Sequence, residues 1–208
     1  MTRISILDTK SANFHSVKKA VDLYEKDNII TSSKEEILRS EALIIPGVSS
    51  TDTVLNNIYN AKLEKIILEF YQSERPILCI CVGMQILFET SEEGILPGLG
   101  IIEGEVKKIP SKDNKNKKYK IPHMGWNEID FSTNSKIFDG IENDSEFYFV
   151  HSYQCVPKDQ EIISGTTNYS NKIVASIEKN NLFAVQFHPE KSANLGLNIY
   201  KNFINLIN

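Results

Sequence analysis

The sequence has little cysteine, no long apolar run and no excess of positive charge. Three cysteines in 208 residues is an odd number, and none is spaced like a secreted disulfide framework. There is no C-x-x-C pair and no histidine cluster at metal-ligand spacing, so neither a metal nor any other cofactor is expected. No window reaches the ~18 uninterrupted apolar residues of a membrane span. The opening MTRISILDTK has neither the apolar core nor the small-residue cleavage site of a signal peptide. A cytoplasmic chain in a reducing compartment is the expectation. Lys and Arg number 23 against 27 Asp and Glu, a formal net charge of -4, which argues against nucleic acid or an anionic membrane as partner. The five lysines of SKDNKNKKYK, residues 111–120, read as a solvated hairpin loop in this acidic chain. With 41% apolar residues, no internal repeat and no linker-like stretch, residues 1–208 read as a single domain.

What is present is an alternation. Ile4, Ile6 and Leu7 form a short apolar strand ending at Asp8. Phe14, Val17, Val21 and Tyr24 then recur at helical spacing. NIITSS is strand-like, and Leu43–Ile45 reads as a buried strand stopped by Pro46 and Gly47. TDTVLNNIYNAKLEKIILEFYQS reads as one or two amphipathic helices, with Ile58, Leu63, Ile66, Ile67 and Phe70 as core candidates. PILCI is another apolar strand, and VGMQILFET begins a helix at once. Strand and helix alternating in this way predict an α/β fold with a mostly parallel central sheet flanked by helices. Beyond residue 95 the segments LGIIEGEVKKI, HMGWNEIDF, SEFYFVHSYQCV, KIVASIEK and LFAVQFHP predict antiparallel additions to that sheet in the C-terminal half. Leu195, Ile199, Phe203 and Leu206 mark one face of a closing helix.

PILCICVGMQ, residues 76–85, carries two cysteines one residue apart. Alternate strand residues point to opposite faces, so Cys79 and Cys81 are poorly placed to chelate together, and a bridge between them would be strained. Cys81 ends an apolar strand, starts a helix and is followed by Gly83. That is the layout of a nucleophile elbow. A helix N-terminus beneath the sulfur would favour a thiolate. The Val82 N–H would face an oxyanion formed on an attacked carbonyl. Both cysteines could equally be small buried hydrophobes, and for Cys79, inside the strand, that is the better reading.

A thiolate nucleophile needs a base and an orienting group. Of the four histidines, His188 in AVQFHPEKS stands where a strand, Leu182 to Phe187, ends. Glu190 follows two residues later and could hold the other imidazole nitrogen. His151 and His123 read as structural, and His15 has no partner in view.

C-x-G-x-Q at Cys81–Gln85, followed about a hundred residues later by QFHPE, resembles the class I (triad) glutamine amidotransferases. LDTKSANFHSVKKA, IIPGV, ICVGMQIL, IPHMGWN, FYFVHSY and FHPEKS…GLNIYKNF, in this order, are similar to the HisH-type glutaminase subunits of imidazole glycerol phosphate synthase. The resemblance covers essentially the whole chain as one glutamine amidotransferase domain, and implies the flavodoxin-like fold of that superfamily. It implies hydrolysis of glutamine to glutamate and ammonia through a cysteine thioester. It also implies a heterodimer with a HisF-type (β/α)8-barrel cyclase, which takes the ammonia to make imidazole glycerol phosphate in histidine biosynthesis. Carried over, Cys81 is nucleophile, His188 acid/base and Glu190 its orienter. Gly47 and Val48, with Val82, would serve the oxyanion, and Gln85, Ser152 and Tyr153 the substrate. Asn13, Trp126, Tyr148 and Lys191 match positions facing the cyclase near the ammonia route.

The chain departs from the usual family pattern with Cys79 and Ser49 in place of glycines, and with DTKSAN near its start. Two other readings remain open from the residues: a paralogue supplying ammonia to another synthase, such as one that amidinates a sugar, and a non-glutaminase Cys-His-Glu hydrolase or inactive binding subunit.

Overall fold

The computed structural model describes residues 3–10, 13–132 and 134–207. Ser11 and Ala12 of the DTKSAN segment therefore lie outside the described residues. The elements run β1 (Ile4–Leu7), α1 (Phe14–Val21), β2 (Asn28–Thr31), α2 (Lys34–Arg39), β3 (Ala42–Gly47), α3 (Thr51–Asn60), α4 (Glu64–Gln72), β4 (Ile77–Cys81) and α5 (Val82–Gln85). They continue with β5 (Thr90–Ser91), β6 (Gly104–Lys108), β7 (His123–Glu128), β8 (Asp130–Phe131), β9 (Glu146–His151), β10 (Tyr153–Pro157), β11 (Ile163–Asn168), β12 (Lys172–Lys179), β13 (Leu182–Val185) and α6 (Ala193–Asn205).

An eight-stranded sheet with order β2-β1-β3-β4-β13-β12-β11-β8 organises the molecule. The run from β2 to β13 is parallel. Strands β12, β11 and β8 extend it antiparallel. Every residue of β1, β3, β4 and β13 is buried, as sheets covered by helices on both faces require. The expected α/β architecture holds, with one correction. Strands β6, β7, β9 and β10 do not join the main sheet: β10-β6-β5 and β7-β9 form two smaller sheets. A break at Ser152 allows it, letting the continuous stretch 146–157 supply one strand to each.

Other differences are local. β3 continues through Pro46 to Gly47, which pairs with Cys81, so the proline does not end the strand. Its ring replaces an N–H but leaves the extended backbone intact. The long helical stretch divides into α3 and α4 at Lys62, which takes a left-handed φ of 54°. Leu63, Ile67 and Phe70 are core, while Ile66 is only partly buried. Tyr24 lies beyond the end of α1 and is exposed. On α6, Ile199 and Phe203 are buried and Leu195 and Leu206 are partly covered. The lysine-rich segment is an exposed turn closed by a Lys112–Lys118 bridge. Two elements escaped the reading of periodicity. α2 is six residues with one buried side chain, too short to establish a period, and β11 carries Gly165 among Ser and Thr.

Candidate active site

Cys81, the last residue of β4 and the one before α5, is held in an unusual backbone conformation, φ 55° and ψ -110°. L-residues avoid positive φ, so the surroundings must impose it. They do so by backbone contact. A Cβ on Gly83 would stand 2.0 Å from the Ile45 carbonyl oxygen, and one on Gly47 would stand 2.9 Å from the Val82 Cβ. Both glycines let α5 sit directly against β3, which turns the chain sharply at residue 81. The elbow expected from sequence is present, but its helix is a single turn of four residues. VGMQILFET does not continue as a helix, so the expected macrodipole support for a thiolate shrinks to one turn of N–H groups.

Cys81 is 3% exposed yet lines a cavity of about 440 Å³ together with Val48, Val82, Gln85, Ser152, Tyr153, His188 and Lys191. Gly47 lies behind this cavity, opposite Cys81 in the β3–β4 register. Cys81, His188 and the expected substrate residues thus converge on one space, and Glu190 is connected to it through His188. Cys79, by contrast, is buried inside β4 between Ile45 and Ala184, and burial pushes its thiol up out of the physiological range. It behaves as a small hydrophobe.

His188 is 1% exposed, and its Nδ1 lies 2.8 Å from Glu190 Oε1. The carboxylate accepts the Nδ1 proton, which leaves Nε2 for the sulfur. Burial alone would drive the imidazolium toward neutrality. The charge on Cys81, a hydrogen bond with it, and Glu190 outweigh burial and push His188 up to about 10. The main sheet does not carry His188 as far as expected: β13 ends at Val185, not Phe187. His188 is fixed instead by the ribbon beside it. The His188 N–H donates to the Tyr148 carbonyl at 2.9 Å, and Ser192 Oγ donates to the His188 carbonyl at 2.7 Å while accepting from the Tyr148 N–H at 3.0 Å.

The expected partner-facing residues are partly gathered. Trp126 lies in strand β7 and is 50% exposed. It stands opposite Tyr148 on β9, with ring centroids 6.1 Å apart, and Lys191 Nζ lies 5.9 Å from the Tyr148 ring centre. Asn13 caps α1, its Oδ1 accepting from the Ser16 N–H at 3.4 Å, and α1 packs against the turn carrying Lys191. The neighbouring Met124 is exposed on β7 as well.

Four polar features add to the site as read from sequence, two of them, Gln186 and Glu93, not singled out there. Gln186 is fully buried, with its Nε2 3.7 Å from Cys81 Sγ. Glu93 lines the cavity, and its Oε2 accepts from the Thr51 N–H at 2.7 Å. Ser49 lines it too, with a buried hydroxyl that has no hydrogen-bond partner among the described residues. Lastly, the two structural histidines form a chain. His151 Nδ1 lies 2.8 Å from the Tyr153 carbonyl, His123 Nδ1 lies 2.9 Å from His151 Nε2, and Asn127 Nδ2 lies 3.2 Å from His123 Nε2. Because a carbonyl only accepts, every proton in this chain runs toward Tyr153. Both rings are thereby assigned as neutral.

Burial holds them so, lowering His123 to about 4 and His151 to about 3. An unfolded chain would protonate both near 6.5. As pH falls below about 6.5 the unfolded state takes up protons that the native state refuses, and stability drops until the folded values are reached. His188 works the other way: its contribution is complete below 6.5 and fades as pH rises toward about 10. Thermal melts from pH 7 to pH 4 are expected to show a steady decline that flattens when His123 and His151 are both replaced by glutamine. An equal decline in that variant would assign the acid sensitivity elsewhere.

An elbow cysteine, a histidine–glutamate pair and a parallel sheet extended by antiparallel strands place the chain in a class of α/β enzymes with a cysteine at a strand-to-helix turn. The chain belongs to the class-I glutamine amidotransferases, whose family model matches residues 6–206. It is similar to the imidazole glycerol phosphate synthase subunit HisH of Pelagibacter ubique, with 44% identity over 98% of this chain and 99% of that one. It is likewise similar to the subunit of the same name from Methanocaldococcus jannaschii, with 45% identity over 98% of this chain and all of that protein. Among solved structures, one described as a glutamine amidotransferase superposes with a TM-score of 0.73 at 16% identity, covering 98% of both chains, a likeness of fold.

Proposed function

We propose that this chain is the glutaminase subunit of an imidazole glycerol phosphate synthase, acting in histidine biosynthesis. It would hydrolyse glutamine through a Cys81 thioester and deliver the ammonia to a cyclase subunit. The observation that carries the reading is that Cys81 and His188 line one cavity while Glu190, behind the ring, accepts from His188 Nδ1, so that the imidazole is held charged between sulfur and carboxylate.

In this mechanism the sulfur attacks the side-chain amide carbon of glutamine, and the carbonyl electrons move to oxygen. The N–H groups of Val82 and of the Gly47–Val48 loop would receive that negative charge. His188 Nε2 gives its proton to the departing nitrogen, so that ammonia leaves and a thioester remains. His188, now neutral, takes a proton from water, which attacks the thioester. The C–S bond breaks, glutamate forms and the sulfur regains its electron pair. Glu190 holds the imidazole in the tautomer that both transfers need.

Gln85, Ser152 and Tyr153 are placed to hold the substrate, because all three line the cavity. Glu93 is the single carboxylate among its described lining residues, which suits it to the α-ammonium of glutamine. Trp126, Tyr148 and Lys191, with Asn13 nearby, would face a (β/α)8-barrel cyclase. Docking there would close a dry route for ammonia, which bulk water at neutral pH would protonate and so deactivate as a nucleophile.

The test is a glutaminase assay of the chain alone and with a HisF-type barrel carrying its nucleotide substrate. Weak activity alone and an increase of about a hundredfold or more in the complex are expected, on the scale of a full population shift of the competent site. Equal rates would remove the cyclase coupling and favour an ammonia supplier for a different synthase.

A further inference from the structure

Gln186 is a polar side chain with no solvent exposure, and its amide touches the one sulfur that this reading makes the nucleophile. A buried amide is retained at a cost unless its groups are paired, so its partners bear on its role. The partners also fix which way the amide points. Oxygen and nitrogen of a glutamine are told apart by the hydrogen bonds around them. The Tyr153 carbonyl can only accept, so the group 3.3 Å from it is Gln85 Nε2. That same nitrogen lies 3.0 Å from Gln186, which must therefore present Oε1 to it. The remaining atom, Gln186 Nε2, faces Cys81 Sγ at 3.7 Å. A flipped amide would set an oxygen against the sulfur and a nitrogen against a nitrogen. The Tyr153 carbonyl also receives the His151 proton, so its role as acceptor is fixed from two sides.

We infer that Gln186 is a second hydrogen-bond donor to the Cys81 sulfur, and that it stabilises the thiolate independently of His188. The inference deepens the glutaminase reading and rests on it. Its chemical logic is strongest in the second half of the reaction. When the thioester is hydrolysed, the C–S electrons return to sulfur at the moment when His188 is taking a proton from water. A donor already aimed at the sulfur steadies the leaving group without supplying a proton. With the helix behind Cys81 reduced to one turn, a side-chain donor takes over support that a long helix would have provided. Gln186 is held for this by its own backbone, whose N–H donates to the Ala175 carbonyl at 2.8 Å.

The other ionisable groups around the sulfur are His188, His151 at the end of β9 and Cys155 on β10, with Glu93 and Lys191 across the cavity. Any test must separate Gln186 from these. Two replacements do so, because they predict an order. Gln186→Met matches the volume and removes both donor and acceptor. Gln186→Glu keeps an acceptor for Gln85 but places a carboxylate oxygen against the sulfur.

The measurement is the rate of Cys81 alkylation by iodoacetamide as a function of pH on the full chain, resolved by peptide mass. Cys79 and Cys155 are buried with raised thiols and provide internal controls. For Gln186→Met the midpoint is expected to move up by about one pH unit. That makes alkylation about tenfold slower below the midpoint, with an unchanged plateau at high pH. Gln186→Glu is expected to shift it further, about a hundredfold in rate at neutral pH. Wild-type behaviour in both variants, or Gln186→Glu matching wild type while Gln186→Met does not, would overturn the inference; the second pattern assigns Gln186 to holding Gln85 alone. A wild-type Cys81 that resists alkylation at every pH would instead sink the nucleophile reading itself. Should a variant not fold, the unaltered protein decides. The side-chain amide resonance of Gln186 is expected to titrate with the Cys81 alkylation midpoint, and an amide resonance insensitive to that midpoint would overturn the donor role.

Discussion

Replacing Cys81 with alanine is expected to abolish glutamine-dependent synthesis by the complex, by about four orders of magnitude or more, while ammonia-dependent synthesis continues. The substitution removes one sulfur at the head of a one-turn helix and leaves the β3–β4 pairing that supports it. The cyclase chemistry needs only ammonia, so an ammonium salt at alkaline pH bypasses the lesion. Synthesis measured with each nitrogen source distinguishes the cases. Loss with both sources would make residue 81 a structural element of the complex. Retention with glutamine would remove it from the reaction.

Substituting Gly83 by alanine is expected to do comparable damage by a different route. The added methyl would meet the Ile45 carbonyl oxygen at 2.0 Å and the carbonyl carbon at 3.0 Å, both backbone atoms of a central strand. Neither can rotate away, so α5 must lift from β3 and take Cys81 with it. A stability loss on the order of 3 kcal/mol is expected. In a chain of this size that is a fall of roughly 6–12 °C in Tm. Glutaminase activity should fall with it, since the oxyanion donors and the sulfur ride on the same turn. Gly100→Ala is the control. Gly100 has φ 63° but open space around it, so the expected cost there is only about 1 kcal/mol of backbone strain. Equal melting temperatures for the two variants would contradict the close contact at Gly83.

The parts of this protein that could be read in advance are those that depend on pattern. Continuous apolar runs such as PILCI marked the buried parallel strands. The strand–cysteine–helix junction marked the elbow, and H-P-E marked a candidate base with its orienter; the structure brings Cys81 and His188 to one cavity and sets Glu190 against the far side of the imidazole. What the sequence hid depends on distance in space. VGMQILFET reads as the start of a helix, yet the chain leaves the helix after Gln85, where Ile86, Leu87 and Phe88 are all buried in the core. Gln186 sits one residue from a phenylalanine in an apolar stretch, and nothing in its spacing announces that it meets residues 81 and 85 across the sheet. Glu93 could have drawn notice as part of the acidic cluster after the elbow, but only the fold separates it from Glu92, which instead accepts from the Lys108 N–H at 2.7 Å. The histidine chain was similarly hidden, because His123 and His151 become neighbours only through the β7–β9 register.

His188 is bonded through its main chain to Tyr148, and Ser192 rivets the two segments together from behind. Tyr148 belongs to a two-stranded ribbon that shares no ladder with the sheet bearing Cys81. Cys81 and His188 are therefore braced by different sheets, although residues 186–187 also tie His188 to the end of β13. A push on the outer face of the ribbon reaches the imidazole directly, and the alignment of sulfur with ring is a property of how the two sheets seat against each other.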